Sequence, residues 1–225
     1  MNEKTIIIDA AVGRKVLETV DAGLCSGLGT PTPGEMCIEA AVCYALGLTH
    51  GDTPSCVGLA VRQVALGLND RKWSSLAARA QGLRRLSVAQ LGTDTLDQQE
   101  FLRRYVIASI KTVLPKVLKN AAVLQKEPHR RKVMEAAQAC ESALDLLDLK
   151  GACQAAADAA STAYVASAAY AAYAAYAASA ASAASAASAA SAARDEILGL
   201  SAEIAVEVLI RMKSPGCALL GLCDL

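Results

Sequence analysis

The sequence predicts an all-α protein, and two observations carry that expectation. Between Asp158 and Arg194 lie 35 residues with no ionised group, Gly or Pro, nearly all of them Ala, Ser or Tyr. Elsewhere apolar residues recur at helical spacing, and no stretch alternates as a strand would; TIII at residues 5–8 is too short. The expected architecture is an elongated multi-helix bundle around a long Ala/Ser/Tyr-rich helix. A turn near Gly92–Thr95 divides it into a loop-rich helical half, residues 1–94, and a long-helix bundle, residues 95–225.

Ala leads the helix propensities because it loses no side-chain entropy and buries no polar group. In the Ala-rich run every third residue is larger or more polar, from Ser161 through Tyr164 and Tyr176 to Ser191. Three residues advance a helix by about 300°, so these positions wind around the cylinder and do not form one stripe. A flat ice-binding face and a coiled-coil seam are both disfavoured by that drift. A membrane span is rejected as well, because Ala and Ser contribute little to insertion and no Leu/Ile/Phe run or aromatic belt accompanies them. The expectation is a thin rod that other helices surround.

Taken in order, residues 4–22 read as a first helix stopped by Gly23. The turn-rich GLCSGLGTPTPGE follows, and Pro33 or Gly34 opens a second helix through Leu46. Ser55 is the expected cap of the next helix, CVGLAVRQVALGL, and Ser74 or Ser75 the cap of LAARAQGLRRLSVAQLG. Thr95 or Asp97 caps FLRRYVIASIKTVLPKVLKNAAVLQK, with Glu100 in the acid-favouring first turn and Pro115 as an expected kink or break. Pro128 starts a helix through about Leu149, Gly151 separates it from the Ala-rich rod, and Ser214-Pro215-Gly216 stops the last helix.

Net charge is zero with 20% charged residues, which gives no whole-protein pull toward nucleic acid or membrane. The opening MNEKTIIIDAAVGRK has no basic start, long apolar core and cleavage site, so the eight cysteines are expected to be reduced thiols in the cytoplasm. Cys37, Cys43, His50 and Cys56 supply soft metal ligands but at spacings that match no tight CxxC pair, and the expectation is buried thiols without a metal. Cys25 with His50 as base and Glu35 or Asp52 as orienter would be the elements of a thiol nucleophile. GLCSGLG follows no strand, however, and is neither a nucleotide fingerprint nor a nucleophile elbow. No catalytic residue and no cofactor is assigned.

Charge distribution is the other signal. Residues 101–132 carry Arg103, Arg104, Lys111, Lys116, Lys119, Lys126, Arg130, Arg131 and Lys132 against Glu127 alone among acidic residues, while 135–158 is acidic. Ion pairs between these segments are one reading. The other is an anion site: Arg79, Arg84, Arg85, Arg103 and Arg104 as guanidinium forks for phosphate, with Trp73 stacking a base.

Through VLPKVL, EPHRRKVMEAAQAC and the AAADAAS that leads into the triplets, the C-terminal half resembles a family of Ala-rich bacterial proteins proposed to confer immunity. Through GLCSGLG and MCIEAAVCYALGL, the N-terminal half resembles an uncharacterised phage or bacterial segment. The resemblance implies a helical binding or inhibitory protein in conflict biology and supplies no site residues. The resulting expectation is a non-enzymatic, homo-oligomeric binding protein with a protein partner or an anionic nucleotide, and with no duplex nucleic acid or membrane. A nucleotide sponge and a cysteine-dependent enzyme are the alternatives.

Overall fold

Capping chemistry sets where the helices begin. Asp9 accepts hydrogen bonds at 2.9 Å from the Ala11 and Val12 amides and opens α1, Ala10–Asp21, later than the expected residue 4. α2, Ile38–Ala45, starts at Cys37, whose sulfur accepts from the Ala40 amide at 3.4 Å, and not at Pro33 or Gly34. α4, Leu76–Ala89, is capped by Ser75. Asp97 caps α5, Gln98–Ala122, by accepting from the Gln99 and Glu100 amides at 3.0 Å. Asp97→Ala should therefore cost about 1 kcal/mol, measured by urea unfolding.

α3, Leu59–Asn69, departs from the expected pattern. Gly58 precedes it, no local side chain caps it, and Ser55 takes no part. Two distant residues do the work: Thr93 Oγ1 accepts from the Gly58 amide at 2.9 Å, and Gln98 Oε1 accepts from the Ala60 amide at 3.1 Å. The remaining helices are α6, His129–Ser142, α7, Leu146–Thr162, and α8, Ala190–Arg211, with 3-10 turns at Thr93–Thr95 and Pro215–Asp224.

This computed structural model describes residues 7–123, 127–144, 146–162 and 190–224. The all-α class holds: among the described residues there is no strand, only an isolated bridge between Gly29 and Met36. Residues 163–189, the bulk of the expected Ala/Ser/Tyr rod, lie outside the described residues, as do Lys126 and Asp145. Three local expectations are corrected. The helix expected over 128–149 is two helices, parted after Ser142, and Gly151 lies inside α7. Pro115 does not break α5, where it sits buried among Leu114, Val117 and Leu118.

The chain forms two compact units, Met1–Leu102 with Ala202–Leu225, and Arg103–Ser201. This differs from a division at residue 94, because the first unit needs the C-terminal residues. In it α4 packs against α1, α2, α3 and the final 3-10 turn. Ser214 donates to the Ala89 carbonyl and the Gly216 amide to the Leu91 carbonyl, both at 2.8 Å. A Cβ at Gly216 would overlap the Val88 carbonyl, so only glycine lets these backbones meet. α2 is the buried centre: all its residues but Tyr44 are inside.

In the second unit α6 and α7 pack together, burying Val133, Ala137, Cys140, Ala152 and Ala156. Lys119 meets Glu141 at 2.6 Å, an ion pair between the basic and acidic segments, and Lys116 meets Glu196. Among the described residues no helix is long and apolar enough to cross a membrane.

Candidate functional site

The most constrained irregular segment is the loop between α1 and α2. Gly23, Gly27, Gly29 and Gly34 all take positive φ, which the GLCSGLGTPTPGE composition permits at little steric cost. The loop is tied down by three residues from the α3–α4 region. Asn69 accepts from the Ile38 amide at 3.2 Å and donates to the Cys25 carbonyl at 2.8 Å. Asp70 accepts from the Gly27 amide at 2.8 Å and from the Asn69 side chain at 2.9 Å. Arg79, only 7% exposed, spreads its guanidinium over the carbonyls of Asn69 at 2.8 Å, Leu24 at 2.7 Å and Arg71 at 3.4 Å.

Arg79 thus corrects one expectation. Its fork reads backbone carbonyls inside the unit and does not present itself to a phosphate. Trp73 is corrected likewise: it is 6% exposed, its indole N–H donates to the Leu68 carbonyl at 3.0 Å, and its ring fills the space beside Gly82. No face is left on which a base could stack. Arg84 grips both Asp21 oxygens at 2.7 and 3.1 Å and donates to the Cys223 carbonyl at 2.6 Å, and the Asp21 bond holds its pKa up. Arg85 Nε stands 3.2 Å from a Glu203 oxygen, an ion contact without the alignment of a hydrogen bond. Arg103 and Arg104 belong to the other unit and also have partners. The expected anion site is therefore not assembled within the first unit.

The thiol set is partly brought together. His50 Nε2 lies 3.1 Å from the Gly29 carbonyl, and a Cβ at Gly29 would lie 2.6 Å from Cys25 Sγ, so both residues border the same glycine. Their chemistry is not coupled, however. A ring nitrogen facing a carbonyl must carry a proton, so Nε2 is a donor there and no base. The Cys25 thiol faces the Gly27 carbonyl at 3.7 Å, and burial raises its pKa, with Arg79 opposing. Glu35 accepts from the Thr30 hydroxyl at 2.8 Å and does not orient His50. A thiol held above its ordinary pKa is a poor nucleophile at neutral pH.

Cys37, Cys43 and Cys56 are buried, and burial pushes each thiol up to about 11. No disulfide joins any of the eight cysteines, all of which are among the described residues. Among the described residues no group of His, Cys, Asp and Glu is placed to hold a metal ion. His50 serves the Gly29 carbonyl, so the Cys37/Cys43/His50/Cys56 tetrad does not form.

Two exposed leucines stand on the turns that His50 joins. Leu28, 42% exposed, precedes the glycine that His50 holds, and Leu48, 38% exposed, lies two residues before His50. Both are tied to α2: the Cys37 amide donates to the Leu28 carbonyl at 3.3 Å and the Leu48 amide to the Cys43 carbonyl at 2.9 Å. Tyr44, exposed near the end of α2, has Lys15 5.8 Å from its ring centre. Sequence reasoning missed this face because leucines in a Gly/Pro-rich loop carry no periodicity. No protein-family model, curated protein or solved structure matches the chain.

Proposed function

We propose that this chain is a non-enzymatic helical binding protein that sequesters a protein partner in phage–bacterium or toxin–immunity conflict, acting in the cytoplasm. The observation that carries the reading is the pair of exposed leucines on turns held rigid by Asn69, Asp70, Arg79 and His50. Exposed apolar side chains on a pre-ordered surface suit protein binding, since little entropy remains to be lost on docking. The biological setting rests on the family resemblance. The nucleotide reading is weaker, because Trp73 and Arg79 are interior groups and Arg84 and Arg85 have acidic partners.

The test pairs the chain with a Leu28→Asp/Leu48→Asp variant that keeps the same helical content and melting temperature. Each is expressed in a bacterial host under phage challenge or toxin co-expression. Wild type should change plaque number or survival and retain a partner on purification, and the double variant should do neither. Equal behaviour of the two proteins counts against the reading. Thermal-shift measurements with cyclic and ADP-ribose nucleotides should show no stabilisation; a ligand-dependent rise would revive the nucleotide reading. Sedimentation at micromolar concentration should show a homo-oligomer, and a monomer would remove that part.

A further inference from the structure

Glu39 is a buried acid that nothing above employs. It stands in the first turn of α2, is 0% exposed, and among the described residues neither carboxyl oxygen has a hydrogen-bond partner. The ionisable groups around it come from several elements. Cys37 and Cys43 lie on α2 itself, Asp52 and Cys56 on the segment between α2 and α3, and Arg62 on α3. On α1, Lys15 reaches α2 and lies over Tyr44. On α4, the arginines serve elsewhere: Arg79 on backbone carbonyls, Arg84 on Asp21, Arg85 on Glu203. An ionised carboxylate enclosed this way, with no donor on either oxygen, is far less stable than the neutral acid. The N-terminal end of α2 favours negative charge, but a helix terminus offsets only a small part of full desolvation.

We propose that Glu39 is a proton-operated latch on α2: with its proton it lets the helix sit buried, and on releasing that proton to solvent water it draws water in and loosens α2 with the turn that follows. The only bond broken is the carboxyl O–H, and the proton passes to water or buffer. The seat matters because the Leu28 and Leu48 backbones are hydrogen-bonded to Cys37 at the start of α2 and Cys43 near its end, so loosening it frees the two exposed leucines.

The direction of titration agrees. Burial holds the Glu39 carboxyl well above the ordinary glutamate value, Arg62 pulls it back, and Asp52 adds to the rise. A carboxyl raised in the folded state imposes no penalty below its unfolded value. Stability is then lost as pH climbs from that value toward the folded one, and stays lower beyond it.

The experiment follows the Glu39 side-chain carboxyl by carbon-13 NMR in the full chain labelled at glutamate, the resonance being assigned by its absence in Glu39→Leu or Glu39→Gln. It is expected to remain protonated at about pH 7, where exposed carboxyls are ionised. An ionised Glu39 at that pH overturns the proposal. Pulsed alkylation of Cys37, Cys43 and Cys56, read by mass spectrometry, reports the loosening. An ionised Glu39 raises the three thiols and so slows their alkylation, the opposite of what opening does, so a wild-type to Glu39→Gln rate ratio that rises with pH reports opening. That ratio should grow with pH, up to about tenfold for each unit by which the folded pKa exceeds the ordinary value. A ratio flat in pH overturns the latch even if the acid is protonated. Neither readout involves a partner, so the outcome is independent of the proposed function.

Discussion

Arg79→Ala is expected to lower the stability of the first unit by about 3–5 kcal/mol, because buried carbonyls lose a charged donor and hydrogen bonds of that kind contribute about 1.5–3 kcal/mol each. The buried carbonyls of Leu24 and Asn69 lose their donor, and each acceptor left unpaired costs about 1–3 kcal/mol before water partly replaces the fork, while the Arg71 carbonyl keeps the Trp73 amide at 3.0 Å. The loop before α2 should loosen first, since Arg79 and Asn69 together hold the Leu24 and Cys25 carbonyls. Arg79→Lys should recover only a minor share, because a single ammonium lacks the planar fork that reaches three carbonyls at once. Urea unfolding measures the loss. A change under about 1 kcal/mol for Arg79→Ala would show that the guanidinium is not the anchor.

Gly29→Ala is the second large effect, with an expected loss of about 2–4 kcal/mol. Gly29 has φ +70°, and a Cβ there would overlap the Glu35 carbonyl and crowd Cys25 Sγ at 2.6 Å. Gly27 supplies the control. It has the same φ of +70° but open space around the added carbon, so Gly27→Ala should cost only the backbone strain, about 1–2 kcal/mol. The difference between the two alanines isolates the steric term. Equal thermal shifts would mean that the Gly29–Met36 bridge gives way easily, and that His50 is not held on a rigid carbonyl.

How much was legible in the sequence depends on how far apart the cooperating residues lie. Ser75 and Asp97 were readable as caps because a cap acts on amides two or three residues away. The glycines of GLCSGLG were readable as turn formers for the same reason. The start of α3 was not, since its donors are satisfied by Thr93 and Gln98, more than thirty residues downstream. Arg79 and Trp73 were misread because their chemistry alone is the same whether a guanidinium faces a phosphate or a carbonyl, and whether an indole stacks on a base or fills a gap beside Gly82. Glu39 stands where local rules favour an acid, in the first turn of α2; only its complete burial makes it unusual.

The sequence by itself determined the all-α class, the caps of α4 and α5 and the turn chemistry of the loop between α1 and α2, all of which follow from propensities and hydrogen bonds acting within a few residues. Tertiary structure alone decided that residues 202–225 complete the first unit, that Arg79 and Trp73 are interior groups, and that Leu28 and Leu48 stay exposed. The burials depend on which distant backbones approach closely enough to exclude water and the exposures on which side chains they leave uncovered, and no local pattern encodes those distances.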